Sequence, residues 1–474
     1  MTEPVYTLAA ELAVGSMTQL QSLCLRASYS REISNIFNSP GPDPALFELS
    51  NEVGSMSPLL NSGLVPGRRI ELTATHGGSA FNLYAGRIKK FSTRPMLGER
   101  TTVIEAVTDV DRLNRTILST GIFAGINAGS LFTEIMSRSG VQSFTSDTLN
   151  DSVDFAWYND RGAIGAIEEL IRSGYYQMYV DGSGTFKMRN RYFGAFSSAV
   201  DSLSSGLLDL NYSLSDNQII NSVRAQATPR KQQTSISTLA FLAQPIAIAA
   251  SGHLSFFASY ADPRDGITPT PVGSAITPVA SQDYYASANA DGTGTDHTST
   301  LSLAFVSFGG AAVASLFNGA GNSVYLSRFQ VRGYPILSGA PISVKDEDAT
   351  SQAQYGISDF QLSDLLITDQ NYLRDLVATL ITERADPRDS VEVVMKNEFP
   401  QVVQYQVGDL LAVVNSLTGV NSSWSIRNMR HEISLTSGLE HTMVLGLEKF
   451  TPVPYLVLDD ASFGKLDDGR QLAL

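Results

Sequence analysis

Two stretches almost a whole chain apart share one pattern. "GLVPGRRIELT" at 63–73 and "QYQVGDLLAVV" at 404–414 each place a glycine turn before a β-rich run. Adding 341 to the first number carries Gly67 onto Gly408, Gly78 onto Gly419, Glu99 onto Glu440, Thr101 onto Thr442 and Val103 onto Val444, from 67 to 106 without a gap. The apolar positions follow: Ile70 meets Leu411, Leu72 meets Val413, Leu83 meets Trp424, Ile88 meets Met429 and Ile104 meets Leu445. Side chains of a strand alternate between faces, so a slip of one residue turns its whole apolar set outward. Turns falling on turns and strands on strands therefore predict one small β module present twice.

Length and composition set the scale for that pair. With 474 residues, 43% of them hydrophobic, the chain has material for about three domains and several cores. Its 33 Lys plus Arg stand against 47 Asp plus Glu, a formal charge of -14. A surface that grips phosphates by releasing counterions needs the opposite balance, which argues against nucleic-acid binding. One cysteine, Cys24, leaves no internal disulfide and no Cys-based metal cluster, and reads as a buried free thiol. The start "MTEPVYTLAAELAVGS" lacks the basic opening of a secretory signal. The longest apolar stretch, "LAFLAQPIAIAA" at 239–250, is broken by Gln244 and Pro245 and is too short to span a bilayer, so the expectation is a soluble chain.

Four textures succeed one another. From about 40 to 110, "RRIELTAT", "AFNLYAGRIKKF" and "RTTVIEAVTDV" read as strands between Gly and Pro turns. In "NDRGAIGAIEELIRSG", Ile164, Ile167, Leu170 and Ile171 share one helical face, with Asn159 or Asp160 to cap the start and Gly174 to close the end. "YYQMYVDGSGTFKMRNRY" follows as a hairpin turning at "DGSG", which makes a small α/β unit. Next, no glutamate occurs from Leu170 to Asp346 and no lysine from Gln232 to Val344; with good helix formers missing, 233–335 reads as an all-β sandwich. The last texture opens on "ITDQNYLRDLVATLITERADPR", where Leu373, Leu376, Val377, Leu380 and Ile381 form a stripe, Thr368 or Asp369 the cap and Pro387 the stop. Strands then return.

Candidate chemistry is sparse. "HGGS" at His76 to Ser79 looks like a lipase oxyanion motif, but the chain has no Gly-x-Ser-x-Gly elbow, so it reads as a hairpin turn. "DGSGT" at 181–185 is followed by a strand, whereas a phosphate cradle needs a helix there. Asp291 and Asp296 in "DGTGTD", with His297 after them, supply too few oxygens for calcium. "HEISL" at 431–435 ends in Leu435 where a zinc protease needs its second histidine. Asp346, Glu347 and Asp348 are the best carboxylates for a glycan hydrolase, yet neighbours on one strand point to alternate faces. No catalytic, cofactor-binding or metal residue is therefore expected.

Several segments also resemble those of a known family. "LFELSNEVGSMSPLLNSGLVPGRRIEL" at 46–72 resembles the N-terminal domain of phage tail hub proteins. "SDNQIINSVRAQ" at 215–226, "ATSQAQYGISDFQL" with the helix and "ADPR" after it, and "YLVLDDASFGKLDDG" are similar to later hub segments, in the expected order. The resemblance implies a mainly β chain with α+β parts: a hub β-barrel at 1–112, a small α/β domain at 113–205, a connecting β domain at 206–232 plus 336–362, a helix with the second hub β-barrel at 363–450, and an extended tail at 451–474; the β-sandwich read at 233–335 interrupts the connecting domain as an insertion that the minimal hub lacks. Such hubs are similar to the baseplate trimer of contractile phages and the spike base of type VI secretion systems. A homotrimer is implied, six modules about one axis, which matches a hexameric tail tube. The implied partners are the tail tube or distal tail protein, the tape measure protein and a tail fibre or spike, with DNA passing through an acidic lumen without specific binding. The implied place is the tail tip of a virion assembled in the host cytoplasm. Two other readings remain open: a host-receptor adhesin acting through the sandwich, whose Phe256, Phe257, Tyr284, Tyr285 and Phe308 read first as core, and a cell-wall glycan hydrolase.

Overall fold

The structure is a computed structural model that describes residues 3–33, 40–96, 99–191, 198–216, 218–436 and 438–450, with backbone alone at 95, 96, 99, 455–456 and 471–472. The tail expected at 451–474, with "YLVLDDASFGKLDDG", lies outside the described residues apart from those two short backbone pieces. The chain is mostly β, with several sheets and few helices. No helix among the described residues is long and apolar enough to cross a membrane.

Among the described residues the largest sheet has 13 strands, six from each copy of the repeat and Ser16–Gln19, which pairs with β1 at the far end. Its first module comprises β1 (Val5–Ala13), β2 (Cys24–Glu32), β3 (Ala45–Ser50), β4 (Arg69–His76), β5 (Ser79–Met96) and β6 (Glu99–Val107). The second comprises β7 (Asp201–Leu203), β8 (Asp209–Ser215), β9 (Arg388–Lys396), β10 (Leu410–Asn415), β11 (Val420–Ser434) and β12 (Glu440–Lys449). The strand orders are β2-β3-β6-β5-β4-β1 and β8-β9-β12-β11-β10-β7, the same order with every index raised by six. Only the last pair differs, β1 being antiparallel to β4 and β7 parallel to β10.

The repeat extends to single hydrogen bonds. Gly67 and Gly408 both adopt positive φ, 89° and 88°, where a side chain is strained. Their amides donate to the carbonyls of Ile88 (2.7 Å) and Ile426 (2.8 Å), whose amides donate back to Arg68 (2.8 Å) and Asp409 (2.9 Å). Each central strand then bulges at an equivalent place, between Ile88 and Lys90 and between Ile426 and Asn428, and β5 bulges a second time at Leu83 against β4.

One part of the gapless alignment is corrected by the pairing. Ile88 opposes Ala106 and Ile426 opposes Leu447, so Ile426, and not Met429, is the counterpart of Ile88. By the same register Met429 answers Phe91, and Trp424 answers Gly86 and not Leu83. The second hairpin is three residues shorter, Leu410 opposing Ser425 where Arg69 opposes Arg87, and the longer turn between β11 and β12 restores the count. The turn glycines coincide at the spacing of 341 while the strand between them does not.

The remaining units sit around this sheet. Helices α1 (Ala128–Arg138) and α2 (Ala163–Gly174) pack with the hairpin of 177–180 and 186–189 around Leu131, Phe132, Leu170 and Met178. Helix α2 starts later than its sequence suggests because 161–162 pair with 117–118, and Asp160 accepts from the Ser119 hydroxyl instead of capping. Gly174 stays helical, and Tyr175 takes the left-handed position with φ 55°. Strands 222–227, 342–347 and 359–365 form a small sheet whose core is shared with α3 (Gln370–Arg384), capped as expected by Asp369 accepting from the Tyr372 amide. Three expected boundaries therefore move: residues 201–203, expected in the α/β domain, pair with β10 of the second module. Residues 209–215 leave the connecting unit for the second module, because β8 pairs with β9 along its whole length; α3 belongs with the connecting sheet through Leu373, Leu376 and Leu380.

The inserted segment folds as two facing sheets around Tyr260, Leu316, Leu326 and Phe329, with the long strand Val324–Ser338 as the spine of one sheet. Residues 230–232 pair with 336–338, so the segment enters and leaves side by side.

The turn of the α/β hairpin wedges against β5. A Cβ at Gly182 would lie 2.0 Å from the backbone oxygen of Asn82, an atom that cannot swing away as a side-chain tip does. Gly182→Ala is expected to cost about 2 kcal/mol or more through overpacking. Gly121→Ala, which meets nothing within 4 Å, should stay within about 0.5 kcal/mol. Thermal unfolding of the two variants side by side checks this.

Candidate assembly seam

The two modules meet along β2 and β11, which pair antiparallel from Arg26 opposite Ser434 to Glu32 opposite Asn428. Inward residues of both strands are buried: Ala27, Tyr29 and Arg31 from one, Met429, His431 and Ile433 from the other. Ala27, Tyr29, Met429 and Ile433 belong to one core that also takes in Phe47, Ile104, Trp424 and Leu445, so the modules are fused through their interiors.

A chain of polar rings crosses this core. The Tyr6 hydroxyl is hydrogen-bonded to His441 Nδ1 at 2.6 Å, and His441 Nε2 to His431 Nδ1 at 2.8 Å. The His431 ring stacks on Tyr29 with centroids 4.4 Å apart and planes 10° from parallel. Burial pushes the His431 imidazole far below its ordinary value, with His441 and Arg31 acting the same way. Burial likewise takes His441 down to about 3. Both rings are therefore neutral near pH 7.

Arg31, only 1% exposed, donates from Nη1 to Gln406 Oε1 at 2.6 Å and lies 3.0 Å by Nη2 from the Met429 sulfur. The same Gln406 oxygen accepts from the Gly182 amide at 3.2 Å, and Arg189 donates to the Gly408 carbonyl at 2.8 Å, so the α/β hairpin is fastened to the second module beside the seam.

A second cluster ties that module to its neighbours. Glu448 accepts from Arg427 Nε at 2.7 Å, Arg388 at 3.0 Å and Arg384 at 3.2 Å, bringing β11, β9 and the end of α3 onto one carboxylate. Burial opposes its ionisation, yet Arg427, Arg384 and Arg388 together hold the carboxyl below the usual carboxylate range. Arg427 is the extra residue of the β11 bulge, and its other nitrogen donates to Gln177 of the α/β hairpin at 3.2 Å.

The residues weighed for chemistry are used otherwise. Gly77 and Gly78, both at positive φ, form the two-residue turn between β4 and β5. Asp181 caps its own turn by accepting from the amides of Ser183 and Thr185. Asp291 accepts from Thr293, and Asp296 from the Thr298 amide. Glu347 pairs with Lys345 at 2.6 Å, and Asp348 caps the helix 349–355 through the Thr350 and Ser351 amides. Asp346 borders a groove whose other carboxylates are engaged: Asp151 with Tyr176, Asp369 as a cap and Asp375 with Arg191. In the sandwich, Tyr284 is buried, Phe256 packs edge-on against Phe329, Tyr285 and Phe308 are half-buried, and Phe257 faces outward, 68% exposed. Cys24 is buried, and its thiol is pushed up to about 11 by that burial.

Read as a metal motif, "HEISL" gives no sign of the histidine chain. The available signal was alternation: His431 stands between Met429 and Ile433, and His441 two residues before Met443, all inward positions.

The sequence matches no family model, and no curated protein matches it. Among solved structures, the tail protein from Neisseria meningitidis MC58 superposes with a TM-score of 0.52 at 9% identity, covering 94% of this chain and 96% of that one. At that identity the likeness is one of fold. Lower scores come from the 43 kDa tail protein of prophage MuSo2 from Shewanella oneidensis (0.48, 10% identity, 93% and 97% covered) and from the E. coli c3393 protein, a component of the type VI secretion system (0.40, 5% identity, 92% and 78% covered).

Two outcomes follow from these contacts. A buried neutral histidine gives stability that is complete above its unfolded value near 6.5 and is lost as pH falls toward its folded value, at roughly 1.4 kcal/mol per pH unit. Asp43, whose carboxyl burial raises to about 8 against the pull of Arg31, runs the other way. The test is therefore a difference: between pH 6.5 and 4 the melting temperature of the parent should drop more than that of His431→Asn. Separately, Glu448→Gln leaves three guanidinium groups around a neutral amide and should cost about 3 kcal/mol or more in urea unfolding.

Proposed function

We propose that the chain is a structural protein of a phage-like tail, a homotrimeric hub whose six modules surround one axis and cap a hexameric tail tube. The observation that supports this best is the seam: two modules of the same strand order lie side by side in one unbroken sheet. Three copies of such a chain present sixfold-like contacts to a tube while closing as a threefold ring. The shared fold with the Neisseria meningitidis tail protein over nearly the whole chain supports the tail assignment.

In this reading the ring sits at the tail tip, in contact with the tube or distal tail protein, the tape measure protein and a fibre or spike. DNA passes along the axis without being held, a task suited to a chain of formal charge -14, with acidic residues outnumbering basic ones on the axial surface. The role is mechanical and not enzymatic.

One observation favours a second role for the sandwich. Phe257 and Val306, 68% and 55% exposed, flank Val313 on three adjacent strands, which puts an apolar row on an outer face. Such a row suits attachment to a host surface or to another tail part. Mass measurement of the purified chain, with imaging down the axis, tests the hub: three chains with sixfold-like projection are expected, and a monomer inside assembled particles would refute it. Deleting 233–335 separates the roles. Normal tails that fail to adsorb assign attachment to the sandwich, whereas tails that fail to assemble place it in the ring.

A further inference from the structure

The repeat gives each strand of the seam a counterpart, and among the described residues both counterparts have an edge on which no strand pairs. Strand β2 has partners on both sides, β3 and β11; among the described residues its equivalent β8 pairs with β9 alone and ends the sheet. Past Ile426, β11 leaves β10 and uses that edge for β2; past Ile88, β5 leaves β4 and that edge meets no other described strand.

Burial marks the same vacancy. Tyr29 and Tyr212 hold equivalent places, opposite Ala45 and Val391, which in turn oppose Ala106 and Leu447. Tyr29 is 2% exposed and Arg31 1%, whereas their counterparts Tyr212 and Leu214 are 39% and 58% exposed. A face that is interior in the first module is open in the second, and it carries a tyrosine and a leucine.

We propose that the free edge of β8 in one copy of the chain pairs antiparallel with the free edge of β5 in a second copy, reproducing between chains the β2·β11 seam within the chain. This rests on the ring reading above and deepens it by assigning the contact that closes the ring. The register follows by substitution. Tyr29 opposite His431 becomes Tyr212 opposite Thr93, Arg31 opposite Met429 becomes Leu214 opposite Phe91, and Ser30 opposite Arg430 becomes Ser213 opposite Ser92. Leu214 then covers Phe91, a half-buried ring on an otherwise polar edge. Lys90 and Arg94 on β5 approach a strand flanked by Asp209 and Asp216, so the charges are complementary. Pro95, with no N–H, falls where Ile433 stands in the seam, which ends the ladder at residue 94 opposite 211.

Within the seam Ile33 donates to the carbonyl of the residue directly across, Arg427, at 2.8 Å, so the Ser30 position three residues away is a non-hydrogen-bonded pair. Such pairs bring Cα atoms to about 4.5 Å, within disulfide range. The test is the double variant Ser92→Cys with Ser213→Cys, oxidised as purified full-length chain; buried Cys24 leaves the new pair to react. A shift from 51.0 kDa to a covalent species of three chains on a non-reducing gel is expected. Peptide mapping should join 92 to 213, and neither single variant should form that species. Three chains in solution without the cross-link overturn the edge pairing and leave the ring standing. A cross-link in particles of another chain number keeps the pairing and overturns the threefold ring, and a chain that stays monomeric overturns both.

Discussion

The antiparallel ladder between β2 and β11 is the contact on which the architecture depends. Sheets normally end in edges that must be blunted or covered, and here one module's edge covers the other's. Because the shared ladder carries inward residues from both sides, it merges two apolar interiors into one, which includes Phe47 and Ile104 from the first module and Trp424 and Leu445 from the second. The relative placement of the modules is set by hydrogen-bond register and by packing together. A rigid pair is what repeated copying around an axis requires, since an error in the angle between neighbours would accumulate around a ring.

The seam is also polar at its centre, which a purely hydrophobic joint would not be. Tyr6, His441 and His431 form a continuous chain, and Arg31 is tied to Gln406, itself bonded to the turn of the α/β hairpin. Buried polar groups of this kind are costly when unmatched, and they fix geometry when matched. The bulge of β11 does similar work at its other end by turning Arg427 toward Glu448, where Arg384 and Arg388 converge. The auxiliary units thus touch the second module at two sites of directional bonding.

Much of this was legible in the chain itself. Gly67 and Gly408 announced the repeat because their positive φ leaves few residues able to replace glycine. Asp369 ahead of a regular apolar stripe announced α3. The three-residue offset of the central strand was hidden, because turn glycines at 78 and 419 coincide while only the cross-strand partner reveals the true register. Strand β8 was hidden for a different reason: its partner β9 is remote in sequence, and a strand with one open face, as with exposed Tyr212 and Leu214, lacks the alternation that reports a core. His431 sits in what looks like a truncated metal motif, while its place between Met429 and Ile433 on the strand already puts it inside.

The inserted sandwich begins and ends on facing strands, with Arg230 opposite Ser338. A segment whose ends adjoin can be lengthened, trimmed or exchanged with little entropic penalty to the scaffold it interrupts. The scaffold and its appendage are therefore free to diverge at different rates, the first held by the geometry of its ladders, the second answerable only to whatever it meets outside.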